Sequence, residues 1–251
     1  NLGTELKKKV GQSKNLIING AMEVAQRGTS STSTGYQTVD RFSTSTSGVD
    51  EAPTFAQVDV ASGTTPYTLG FRKAFKITNG NQTGGAGTSD KIEFRYNAEA
   101  QDIANSGWNY VSSSSNITLS FWIKSSVAQN FYFYMLANDG TQQNFPMETG
   151  SLSADTWTKI TKTISGNSNL QFDNDANNGM TIIWDQFRGT DQTGSVSLNT
   201  WAAFNSSART PDQTSTWYTT NDATFEITGV QLEVGSVATD FEHKSFGEDF
   251  A

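Results

Sequence analysis

Apolar residues recur at every second position in segment after segment of this chain. In 116–124, Ile117, Leu119, Phe121 and Ile123 alternate with polar neighbours, and in 91–96 Ile92, Phe94 and Tyr96 do the same. Segments 54–60 and 70–78 repeat the pattern, the second through Phe71, Lys73, Phe75 and Ile77. Period two is the signature of a strand with one face on a core, so each segment is predicted to be a strand. Further strands are predicted over 36–46, 156–164 and 180–187. Segment 129–137 (Gln-Asn-Phe-Tyr-Phe-Tyr-Met-Leu-Ala) is aromatic on both faces, which places it inside a sandwich or under a covering loop.

The last strand is the longest. In 223–235, Phe225, Ile227, Val230, Leu232 and Val234 form an apolar set against Glu226, Thr228, Gln231 and Glu233, a set predicted to face water. The phase slips at Thr228-Gly229, and a glycine at such a slip signals a bulge or a close backbone approach. A strand this late must pair with strands formed much earlier, closing a sheet. Segment 15–28 reads as a short apolar strand with an Asn19-Gly20 turn, 98–105 as one short helical piece, and 189–222 as a long polar excursion. With turns between short strands and no internal repeat or composition shift, the prediction is an all-β, jelly-roll β-sandwich of one domain over 15–251, preceded by an extension over 1–14.

Composition narrows the functional classes. Hydrophobic residues are 35% of the 251 and aromatics 12%, so the apolar content sits largely in rings. The absence of cysteine excludes disulfides, thiolate metal sites and thiol catalysis. A net charge of -8 argues against a nucleic-acid partner. Lys7-Lys8-Lys9 is an isolated basic run, expected to be a solvated linker. No apolar run approaches the ~20 residues of a membrane-spanning helix, so no membrane insertion is expected. The sequence starts at Asn1, and the natural N-terminus is expected to lie upstream.

Five segments occur in a telling order: 15–28 (Asn-Leu-Ile-Ile-Asn-Gly-Ala-Met-Glu-Val-Ala-Gln-Arg-Gly), Val39-Asp40-Arg41-Phe42, Leu119-Ser-Phe-Trp-Ile-Lys-Ser125, Trp157, and 227–242 (Ile-Thr-Gly-Val-Gln-Leu-Glu-Val-Gly-Ser-Val-Ala-Thr-Asp-Phe-Glu). The set resembles the C-terminal domains of bacteriophage tail-fibre and related virion surface proteins, across nearly the whole chain. Asp240 stands where such sequences often have Pro. The resemblance implies a virion protein attaching to a host-surface glycan or other receptor, assembling with other virion proteins, and usually forming homotrimers. The order of elements is also similar to carbohydrate-binding jelly rolls that often carry a structural calcium. Asn19-Gly20 and Glu23 match their opening loosely, but Thr228-Gly229 stands where those modules hold acidic residues, which counts against calcium; no other cofactor is implied.

Candidate catalytic chemistry is sparse. His243 is the one histidine, and no Gly-x-Ser-x-Gly elbow accompanies it. The loop from Asp173 to Gly179 has hard-cation ligands without the glycine and distal Glu of an EF-hand. Asp185, Asp212, Asp222, Glu226 and Glu233 could supply a glycosidase pair, but on an acidic sheet they are read as solvating groups. Glycan binding needs flat apolar faces beside amides and charges. The 189–222 excursion offers Trp201, Phe204, Arg209, Asp212, Trp217 and Tyr218 as candidate glycan- or receptor-binding residues, against the reading that the rings merely anchor the loop. Host attachment without catalysis is therefore expected, with a capsid decoration or connector, and a polysaccharide depolymerase, as the alternatives.

Overall fold

A computed structural model describes residues 14–244; the Lys7-Lys8-Lys9 run lies outside the described residues. Two six-stranded antiparallel sheets face each other as a jelly-roll sandwich. The strands are β1 (Ser30–Ser31), β2 (Phe42–Ser47), β3 (Thr54–Asp59), β4 (Lys73–Thr78), β5 (Lys91–Glu99), β6 (Asn116–Ser125), β7 (Asn130–Ala137), β8 (Gln143–Ser151), β9 (Thr158–Ser165), β10 (Asn178–Arg188), β11 (Ala202–Ala203) and β12 (Thr224–Val234). The first sheet runs β1-β3-β4-β12-β6-β9 and the second β11-β8-β7-β10-β5-β2. Helices are single turns: α1 (Thr65–Thr68), α2 (Ala100–Ala104) and α3 (Thr216–Thr219).

Alternation does what period two requires. Phe75 of β4 and Phe94 of β5 stack across the sandwich at 4.4 Å between ring centres, and Phe121 of β6 meets Trp184 of β10 edge-on at 5.6 Å. Such pairs add roughly 0.5–1.5 kcal/mol each beyond the area they bury. The doubly aromatic β7 puts Phe131, Phe133 and Met135 into this core, while Tyr134 on its other face is covered by Arg188 and the excursion. Tyr134 is thus sealed by its own chain, under the covering loop that the aromatic pattern of 129–137 allows.

The predicted slip in β12 is a bulge. Its pairing with β6 shifts register between Thr228 and Gln231, and Gly229 has φ +63. A Cβ there would stand 2.6 Å from the Phe71 ring. At the bulge β4 gives way to the segment predicted as a strand over 15–28, which instead forms turns that clamp β12. Leu16 N donates to Leu232 O, Asn15 Nδ2 to Val230 O, Leu232 N to Asn15 Oδ1, and Val230 N to Gly20 O.

One expectation fails and one strand goes unread for a shared reason. The polar side of β12 does not face water: Glu226, Thr228, Gln231 and Glu233 are all buried. Glu233 accepts from Thr239 N and Oγ1, Gln231 accepts from Glu242 N, and Glu226 pairs with Lys124 at 3.1 Å. The descending tail and the 15–20 clamp cover that face. Similarly β8, hidden in the sequence by Pro146 and a polar composition, is a strand because β7 and β11 pair with it.

Candidate functional site

The outer face of the second sheet is covered by no strand, but the 189–222 excursion buries much of it, and register places its residues in rows. Ser43, Arg95, Ile183, Tyr134 and Pro146 align across β2, β5, β10, β7 and β8. The row toward one end is Asn97, Thr181, Leu136 and Asn144; the row toward the other contains Ser45, Glu93 and Asp185. Along β5 alone the outward side chains are Lys91, Glu93, Arg95, Asn97 and Glu99. They sit opposite in phase to Ile92, Phe94, Tyr96 and Ala98 of the core.

One end of this face is an ordered strip of amides ending on a ring. Asn97 Nδ2 donates to Tyr36 Oη at 2.8 Å, and its Oδ1 accepts from Thr181 Oγ1 at 3.0 Å and Asn178 Nδ2 at 3.3 Å. Asn138 Nδ2 reaches Thr181 Oγ1 at 3.2 Å. Tyr36 is 41% exposed although its hydroxyl is tied down. Tyr36 lines a depression of about 220 Å³ with Arg27, Arg41 and Asn97. Arg41 holds φ +71, a conformation that costs a side-chain-bearing residue free energy and so is imposed by its surroundings. A ring with a fixed edge, flanked by two guanidinium groups and an amide, can stack on an apolar sugar face and fork adjacent hydroxyls.

The middle of the face is a charged network. Arg188 is fully buried; its Nε and Nη2 donate to the two oxygens of Asp185 at 3.0 and 2.8 Å, and it also engages Glu93, Gln192 and Tyr134. Glu93, equally buried, receives Lys91 at 3.1 Å and Arg95 as well. Burial opposes the charge of Arg188, but Asp185 and Tyr134 more than restore it and hold the guanidinium above its ordinary range. For Lys91 the opposing pull of Asp185 is too small to offset the rest. Burial first, then Arg95, Arg188 and Arg209, pull it down to about 8. Arg95 is pulled down too, by burial and by Arg188 and Arg209.

The six residues drawn from the excursion separate into two groups. Trp217 and Tyr218 are fully buried and Trp201 is 8% exposed, so these rings fasten the loop. Trp217 Nε1 donates to Thr224 O at 3.0 Å and Trp201 Nε1 to Ser165 O at 2.8 Å. Tyr218 stacks on Phe187 at 4.4 Å and donates to Asp90 at 3.0 Å; burial and this bond raise its hydroxyl far above the usual phenol value. Phe204 and Arg209 are half-buried at the edge of the charged network, with the guanidinium 5.3 Å above the ring and 3.5 Å from Tyr134 Oη. Asp212 is exposed and accepts from Thr193 Oγ1 at 2.7 Å.

The remaining candidates scatter. Asp185 belongs to the second sheet, Glu226 and Glu233 to β12 of the first, and Asp222 is an exposed turn residue with φ +57. His243 caps Leu69 O at 2.8 Å. With Phe71, Trp122 and Lys159 it lines a cavity of about 490 Å³ over the first sheet. Phe71 packs there against Phe241 and His243, each at 4.9 Å, as a small second core. Among the described residues no three His, Asp or Glu side chains gather to hold a metal ion, and no helix is long and apolar enough to cross a membrane.

No protein-family model matches the chain, and no curated protein matches it. Among solved structures it is similar to the enzymatically active domain of bacteriophage CBA120 tailspike protein 4, at 9% identity and TM-score 0.46 over 88% of this chain and 22% of that one. It is also similar to the N-terminal cellulose-binding domain of Cellulomonas fimi β-1,4-glucanase C, at 10% identity and TM-score 0.38 over 86% and 99%. A third likeness is to the CBM22-1–GH10 modules of Clostridium thermocellum xylanase 10B, complexed with xylohexaose, at 10% identity and TM-score 0.38 over 80% and 27%. The chain spans about a quarter or less of the tailspike and xylanase chains. With scores below 0.5, no function passes from these structures; the sandwich stands on its own strand pairings.

Proposed function

We propose that the chain is a non-catalytic glycan-binding module, and that the outer face of the second sheet is its binding surface. The observation that carries this reading is Tyr36: a ring left largely open to solvent while its hydroxyl is anchored by Asn97, at the end of an amide strip fixed by mutual hydrogen bonds. Such a platform has lost its rotamer entropy before a ligand arrives, which is what sugar recognition by stacking requires. From the excursion, Phe204 and Arg209 extend the surface and Asp212 rims it, while Trp201, Trp217 and Tyr218 hold the loop in place. The ordered segments from Asn15 to Glu242 support placing the module on a virion, as a fibre-type homotrimer that attaches to host-surface glycan beside other virion proteins.

A glycan array probed with the protein, followed by titration of the best ligand, tests the reading. Tyr36→Ala should weaken binding by up to about tenfold, the scale of one lost stacking contact, with unchanged thermal stability. An array without any ligand, combined with tight incorporation into particles, would instead favour a decoration or connector role. Release of reducing ends from host polysaccharide would favour a depolymerase.

A further inference from the structure

The cations on this face outnumber the carboxylates that could neutralise them. Lys91, Arg95, Arg188 and Arg209 act on one another, and the acids among them are Glu93 and Asp185. Within this network four positive groups meet two negative ones, with Glu99 further along β5 and Asp212 at the rim, in a chain whose net charge is -8. Two of the four are committed: Arg188 is sealed beneath the surface, and both its carboxylate partners are fully buried with it. The surplus lies above them, on Arg95 with a third of its side chain exposed, on Lys91, and on half-buried Arg209.

Arg95 is also incompletely bonded. One terminal nitrogen meets Glu93, yet Nε is buried without a hydrogen-bond partner. A buried donor left unmade costs about 1–3 kcal/mol, so native structures keep few of them without a reason. Like charges held together, with a third of the Arg95 side chain open to solvent, form a receptor for an oxyanion, since a carboxylate or sulfate bound to the exposed part of the guanidinium would cancel the repulsion.

We infer that this face selects acidic saccharides, a uronate or sulfate group docking against Arg95, Lys91 and Arg209 while the neighbouring sugar packs toward Asn97 and Tyr36. The inference rests on the glycan reading above and names its substrate class. Outward residues of β5 are two apart and about 7 Å from each other. Arg95 and Asn97 are therefore spaced to engage adjoining parts of one oligosaccharide lying along the strand. The overall acidity of the chain repels nucleic acid, so a local positive well in a negative surround suits a short acidic glycan better than a polyphosphate backbone.

The test uses matched pairs differing only in charge: oligogalacturonate against its methyl ester, and a sulfated galactan oligosaccharide against its desulfated form, titrated calorimetrically at low salt and at 0.5 M NaCl. At least one acidic member should bind about tenfold tighter than its neutral partner at low salt, with most of the difference lost at high salt. Arg95→Gln should remove the preference and Arg95→Lys keep most of it, both checked for native stability. If Arg95→Gln does not fold, the salt dependence of the natural protein decides. Equal binding within both pairs overturns the inference and leaves the glycan reading intact. Failure of these and of every array glycan overturns the glycan reading itself. Tighter binding of single-stranded DNA than of any acidic saccharide would overturn the assignment to glycans while keeping an anion site.

Discussion

Replacing Arg188 by Met should destabilise the protein by about 3 kcal/mol, the low end of the range for breaking a buried ion pair. Arg188 sits with no exposed atoms between Asp185 and Glu93, which are fully buried too. Without the guanidinium, Asp185 keeps a single side-chain donor, Gln213 Nε2 at 3.1 Å, and its charge is stranded in a desolvated setting. Glu93 fares better, because Lys91 and Arg95 still reach it. One carboxylate is therefore orphaned rather than two, which sets the estimate at the low end. Arg188→Lys keeps the charge but cannot fork both oxygens of Asp185, and should lose roughly half as much. The double change Arg188→Met with Asp185→Leu should recover most of the loss, since replacing both partners removes the unpaired charge. Urea unfolding followed by tryptophan fluorescence gives the three values, with Trp184 next to Asp185 as an internal reporter. If Arg188→Met lies within 1 kcal/mol of the natural protein, or Lys serves as well as Arg, the network does not hold the face as argued.

Gly229→Ala should cost about 2–3 kcal/mol: roughly 1 for a left-handed alanine and 1–2 for displacing the Phe71 ring. Unchanged thermal stability would show that the bulge tolerates a side chain. The Lys91 ammonium gives up its proton near pH 8 in the folded state and near 10.5 when unfolded. Between those values the unfolded chain binds more protons, so this group should make stability rise with pH across that window. Lys91→Gln should flatten that rise in urea midpoints taken from pH 7.5 to 10, and identical slopes would refute it. Burial alone would raise the Glu233 carboxyl, but hydrogen bonds from Thr239 and Gln231 and the charge of Lys14 take it below its ordinary value. Its contribution should persist above the usual glutamate range and vanish as pH falls through the lowered one. Glu233→Gln should therefore unfold in acid with a shallower pH dependence, a difference absent if those bonds do not form.

The strands were legible because their apolar sets are long and regular: Ile117 to Ile123 and Ile92 to Tyr96 each keep one phase into the core, and Phe225, Ile227, Val230 and Leu232 do so on either side of the slip. The bulge was legible because two residues of like character stood three apart around a glycine. What escaped was whatever depends on distant chain. Nothing local says that Gln143–Ser151 is a strand, since β7 and β11 supply its partners. Nor does 15–22 reveal that it forms turns clasped to β12 through Asn15. The polar face of β12 looked solvated because the tail that buries it begins only after the strand ends.

The candidate site was hidden for a different reason. Aromatic rings in a long loop attract attention, yet Trp201 and Trp217 spend their indole N–H groups on Ser165 O and Thr224 O, as loop anchors must. An exposed ring is inconspicuous in sequence: Tyr36 reads as the first residue of the strand predicted over 36–46, whereas β2 begins only at Phe42 and Tyr36 is held by Asn97. The signal that was available lies in β5. Read on the phase that the core ignores, Lys91, Glu93, Arg95, Asn97 and Glu99 place charges of both signs at strict period two. Solubility alone needs no such order, and it does not need the centre of that run to be buried. Glu93 has no exposed surface, and Arg188 arrives 95 residues later to meet it. A desolvated acid with three cations around it is costly as a stabilising device, because a packed apolar group would do as well or better. Its place on an outer face fits the proposal that the cations above it bind an anion.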